Sequence, residues 1–129
     1  MRTLTYQDAA RELLSKALVE LEAGDVRRVS EKGWGAAAQM VKAVAECRGW
    51  RHQTHAALFR AVSRIVQETG DELIGTLFKV AGILHQNFYE NWADETLVSG
   101  GLNCVQDLLD RLEPLLKGDL SAGSERGGV

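Results

Sequence analysis

The chain has 129 residues, of which 45% are hydrophobic and 26% charged, with a net charge of -3 and a pI near 5.6. This is the composition of one globular domain with enough chain to bury a core. It excludes a disordered polymer and a global basic field for nucleic acid, so any such binding needs a local basic cleft.

Helix signals dominate, with a single proline, Pro114, and no sustained alternation of β-branched and polar residues. Thr5-x-x-Asp8 can cap a first helix running to about Ala23, with Leu14, Leu18 and Leu21 on one face. Gly24-Asp25 ends it and offers Asp25 as the next N-cap. The second helix is predicted from about Val26 to Arg48, with Val29, Trp34, Ala37, Ala38, Val41, Val44 and Ala45 inward. Gly33, Gly35 and Ala36 to Ala38 make its first half narrow, and close approach of another backbone is the usual reason for glycine in a helix. Gly49 to Gln53 form a short basic and aromatic connection.

A third helix is predicted over about Thr54 to Thr69, with Ala57, Leu58, Ala61, Val62 and Ile65 inward. Gly70-Asp71 repeats the glycine-stop, aspartate-start device. The fourth runs from about Asp71 to Trp92. The fifth, from about Asp94 to Leu116, carries Leu97, Leu102, Val105, Leu108, Leu109 and Leu112, and Pro114 can kink or shorten its end. Short connections between long amphipathic helices favour antiparallel neighbours, which predicts an all-α, up-and-down bundle over residues 1–117. Residues 118–129, Gly/Ser-rich and without an apolar pattern, read as a disordered tail.

No apolar run approaches the roughly 20 residues that span a bilayer, and the first residues lack the apolar core of a secretory signal. Cys47 and Cys104 make no dense disulfide framework, so a reducing cytoplasm is the expected location.

His85 is the most informative residue. Three- and four-residue spacing aligns it with Ile74, Phe78, Ala81, Tyr89 and Trp92. A histidine in an apolar stripe is either a satisfied core group or faces a site or partner subunit. As a general acid or base it could serve metal-independent RNA cleavage, with Tyr89 on the same face, Lys79 as a neighbouring cation and Asn87 in support.

Two other segments carry possible chemistry. The run from Ser30 to Ala38, with Lys32 and Trp34, lies near a helix N-terminus that favours anions. A phosphate or nucleotide could bind there, but no G-x-x-x-x-G-K-[ST] loop is present, and close helix packing with Trp34 as a core or interface anchor explains the same residues. The connection from Cys47 to His55 gathers Arg48, Trp50, Arg51, His52 and His55, types that suit nucleic-acid backbones and stacked bases. A solvated loop is the plainer reading, above all for His52. Cys47, His52 and His55 are too few for a structural zinc, so no metal or cofactor is expected.

Gly24-Asp25, Ser30-Glu31-Lys32-x-Trp34-Gly35-Ala36-Ala37, Arg48-Gly49-Trp50-x-His52-x-x-His55 and Leu84-His85-x-Asn87-Phe88-Tyr89-Glu90 together resemble the PaREP-type proteins, small prokaryotic members of the HEPN superfamily. The resemblance runs from about Tyr6 to Leu116. It implies a helical bundle, often a homodimer. Many HEPN proteins are ribonucleases, often toxins, with the motif arginine, four to six residues, histidine; others are noncatalytic, bind nucleotides or pair with small nucleotidyltransferases. The motif's histidine falls on His85, where the basic residue at permitted spacing is Lys79, which lacks arginine's planar grip on phosphate. Arg48 and His55 also match formally, but Gly49 interrupts that helix. The resemblance therefore implies a binding or interaction module with a nucleotide- or RNA-related role, as in a partner of a small nucleotidyltransferase, with a metal-independent, toxin-like ribonuclease using His85 as the alternative.

Overall fold

A computed structural model of the chain describes the backbone of residues 5–128 and the side chains of residues 5–116. Five helices and no strand occur among the described residues: α1 (Tyr6–Glu22), α2 (Val26–Cys47), α3 (His55–Thr69), α4 (Glu72–Glu90) and α5 (Glu95–Gly128). The architecture is the all-α bundle that the periodicity predicts. Segment 118–129, expected as a disordered tail, lies outside the residues described with side chains.

The predicted stops and starts are realised by hydrogen bonds. Thr5 Oγ1 accepts from Asp8 N at 3.0 Å, Asp25 Oδ1 from Arg28 N at 3.2 Å, Thr54 Oγ1 from Ala57 N at 3.0 Å and Asp71 Oδ1 from Leu73 N at 3.2 Å. Gly70, at φ 72°, closes α3 in the left-handed conformation that glycine adopts without strain. Pro114 lies inside α5 instead of ending it.

Helix α2 is the axis of the bundle and touches all four other helices. Its narrow face, which the sequence could equally assign to a partner subunit, packs within the chain. A Cβ on Gly33 would come within 2.9 Å of Leu102 and 3.0 Å of Leu84, and one on Gly35 within 3.2 Å of Leu13. Gly101 of α5 receives Leu84 in the same way, at 2.7 Å. Leu84 is thus seated between two glycines, and their missing side chains let α4 and α5 approach α2 closely.

Three apolar assignments change. Leu18 of α1 is exposed, and the inward face is Ala10, Leu14 and Ala17, with Leu21 partly buried. Leu97, in the first turn of α5, faces outward. Trp92 is not on α4 at all, because Asn87 ends that helix early. Asn87 Oδ1 accepts from Trp92 N at 2.8 Å and Ala93 N at 2.7 Å, and Asn87 O accepts from Asn91 N at 2.6 Å, with Asn91 left-handed at φ 50°.

Candidate functional site

The connection after α2 decides what meets His85. The Trp50 indole lies near the end of α2, under the Arg64 guanidinium of α3 at 4.2 Å. Yet His55, the first residue of α3, touches Trp34 in the first half of α2, with ring centroids 5.3 Å apart. Residues 50–54 therefore return along α2, and α3 starts at the level of Trp34.

That placement brings two histidines together from different helices. The rings of His55 and His85 are 5.0 Å apart at 70°. Trp34 lies 5.1 Å from His85 and 5.3 Å from Phe78, so the indole forms the floor under both imidazoles. Tyr89, one turn beyond His85, meets it edge-on at 5.3 Å and is 67% exposed. An open groove of about 430 Å³ runs past Trp34, His85, Tyr89, Glu31, Lys32 and Leu13.

Burial lowers the His85 pKa from its ordinary value, and the nearby His55 adds to the effect, against a smaller opposing pull from the Glu31 carboxylate. The ring is therefore neutral at pH 7. Its Nδ1 is buried without a hydrogen-bond partner, which an imidazolium, a donor at both nitrogens, would tolerate poorly. A neutral imidazole facing a second imidazole can accept a proton, stack against a planar ligand, or hydrogen-bond one.

The other candidate residues divide. Lys32 lines the groove but is ion-paired with Glu20 of α1. Asn87 is fully buried away from it, its Nδ2 donating to Ser30 Oγ at 2.7 Å. Lys79 is exposed on another face of α4, where it borders a separate cavity between α3 and α4 with Phe59, Val66, Glu72 and Thr76. Arg48 bonds the Glu68 carboxylate at 2.9 Å and lies against Trp50, and Arg51 is exposed. His52, expected in a solvated loop, is only 6% exposed because the returning connection lays it against Tyr6, with centroids 5.3 Å apart. Both cysteines are free thiols. No group of three or more potential metal ligands occurs among the described residues.

Sequence reasoning placed His85 beside Tyr89 but missed its pairing with His55. The two are thirty positions apart, and no helical repeat connects them. The one available signal was the density of rings in each segment.

Fold and groove define a small five-helix bundle protein whose two histidines and a tryptophan converge at the surface. The chain belongs to the archaeal PaREP1/PaREP8 family, whose family model matches residues 5–109. It is also similar to a crystal structure of a Sulfolobus solfataricus protein at 22% identity, covering 90% of this chain and 98% of that one, with a TM-score of 0.76. At that identity the likeness establishes the fold. No curated protein matches the chain. Among the described residues no helix is long and apolar enough to cross a membrane.

Proposed function

We propose that this protein is a nucleotide- or RNA-binding module of HEPN-like type, with the ligand's base in the groove lined by Trp34, His85 and Tyr89. The observation that carries this reading is the convergence of Trp34, His85 and Tyr89 at a groove of about 430 Å³, with the His55 ring packed against the first two, within the size range of small-ligand sites. Exposed Tyr89 and half-buried His85 offer flat faces to a base. The alternative, metal-independent RNA cleavage, is favoured by the paired imidazoles. One would take the proton of a 2′-hydroxyl as its oxygen attacks phosphorus; the other would protonate the departing 5′-oxygen, leaving a 2′,3′-cyclic phosphate.

Titration with adenosine monophosphate, followed by tryptophan fluorescence, tests the groove. His85→Ala is expected to weaken binding about tenfold or more, the loss of one stacking contact of roughly 1–3 kcal/mol. Equal affinity of the variant and the parent would refute the assignment. If the protein also cuts RNA in the presence of a chelator, His85 as base must be unprotonated. The rate then falls only once pH drops below the ordinary histidine value of about 6.5, because the His85 pKa is lowered. A rate indifferent to His85→Ala rules out the cleavage reading.

We also propose a two-fold homodimer. The glycine–alanine face of α2 is buried within the chain and cannot supply the interface. Trp92 and Leu97 are exposed around the α4–α5 junction and are the favoured contact. Sedimentation equilibrium at a concentration on the order of tens of micromolar is expected to give the mass of two chains, and Trp92→Ser with Leu97→Ser the mass of one. A purely monomeric parent would remove the dimer and leave this face for a heterologous partner such as a nucleotidyltransferase.

A further inference from the structure

Arginine pairing is uneven along the chain. Arg11 bonds Asp110 and Glu113, Arg28 bonds Asp25, Arg48 bonds Glu68, and Arg111 bonds Asp71 and Asp107. Arg27 donates to the Phe88 carbonyl. Among the described residues, Arg51, Arg60 and Arg64 make neither an ion pair nor a hydrogen bond, and all three are exposed. They fall within one stretch, Cys47 to Gln67, which carries four arginines and no aspartate or glutamate in a chain whose net charge is -3.

Two of the three share a helix face, and the third adjoins in sequence the ring that one of them covers. Arg60 and Arg64 are one turn apart on α3, which puts their stems on one face. Arg64 lies over the Trp50 ring at 4.2 Å, and Arg51 follows Trp50 in the chain. The indole restrains one guanidinium without neutralising it, so part of the cost of ordering a long side chain is already met. The nearest carboxylates in sequence are Glu46 and Glu68, and Glu68 is engaged by Arg48.

We propose that Arg51, Arg60 and Arg64, with Trp50, form a strip that holds the phosphodiester backbone of a single-stranded nucleic acid. Unpaired arginines interleaved with an aromatic ring are the chemistry of sequence-tolerant strand binding, whereas an acidic protein segment would draw no benefit from the ring. The strip stands on its own contacts, but its direction rests on the groove reading. His55 begins the helix that carries Arg60 and Arg64, and it touches His85. Along the axis, Arg64 lies about 13 Å from His55, a distance that about four nucleotides cover at stacked spacing. A strand held at Arg64 can therefore deliver a base to the groove, and the ligand that engages strip and groove together is an oligonucleotide.

Fluorescence anisotropy of the full chain with a labelled twelve-residue oligouridylate tests the strip. Three neutralised phosphates predict a log–log salt slope of about -2. Arg60→Glu with Arg64→Glu is expected to weaken the complex about tenfold or more in 0.1 M salt, to flatten the slope toward about -1, and to leave adenosine monophosphate binding within about twofold. The lysine pair at these positions should retain most of the affinity. The proposal is overturned if the parent binds no oligonucleotide, if the glutamate pair binds like the parent, or if polyglutamate or anionic vesicles compete as well as unlabelled oligouridylate. The two readings can fail separately. Loss of oligonucleotide binding in the glutamate pair, with no mononucleotide binding by the parent, would sink the groove and keep the strip.

Discussion

Asn87→Ala is expected to lower the unfolding free energy by about 2–4 kcal/mol, because it strips buried partners of their hydrogen bonds. The carboxamide is fully buried and every bond it makes joins separate parts of the bundle. Its Nδ2 donates to Ser30 Oγ on α2, and its Oδ1 accepts the N–H groups of Trp92 and Ala93 in the connection to α5. Ser30 in turn donates to Val26 O at 3.0 Å, so its hydroxyl proton is already committed and it presents a lone pair to Asn87. Alanine leaves that lone pair and two backbone donors unmatched. Asn87→Asp should cost less, since a carboxylate still accepts both N–H groups, though it sets a second acceptor against Ser30. Urea unfolding of the three proteins checks the order; a change below about 0.5 kcal/mol for Asn87→Ala, the size of an ordinary surface substitution, would show that the junction is not held this way. The same lesion should loosen Tyr89, two residues on, and so blunt the groove.

Asn87 also marks how far the sequence could be read. The caps Thr5, Asp25 and Asp71 were legible because they act on backbone two or three residues away. The buried faces of α2 and α3 were legible because their periodicity is strong and local. What depended on return of the chain was not. Helical spacing extended α4 to Trp92, while the side chain that ends the helix does so by binding backbone beyond it and a serine fifty-seven positions away. The glycines of α2 announced a close approach, but not that Leu84 and Leu102 would fill it in place of a second subunit. His52 became a buried ring and His55 a partner of His85 through the same event, the path of residues 50–54 back along α2.

Trp34→Ala is expected to have the largest effect of any single change in the site. Truncating a buried tryptophan typically costs about 3–5 kcal/mol, a large share of the roughly 5–15 kcal/mol that holds an ordinary domain together. Trp34 is 8% exposed and touches Phe78 in the core as well as both histidines at the surface. Its loss opens a cavity under the imidazoles, so the His55–His85 pair should collapse inward and ligand binding should vanish with stability. His85→Ala differs: that ring is half-buried and lies at the edge, so binding should fall while most of the stability remains. Trp34→Phe refills the core side against Phe78 but not the full width under both histidines. It should recover most of the melting temperature and only part of the nucleotide affinity. Paired thermal melts and adenosine monophosphate titrations on the three variants separate these roles. If Trp34→Ala melts within a few degrees of the parent, the indole is not the floor of the site. If Trp34→Phe restores binding fully, the ligand is positioned by the histidines and Tyr89 alone.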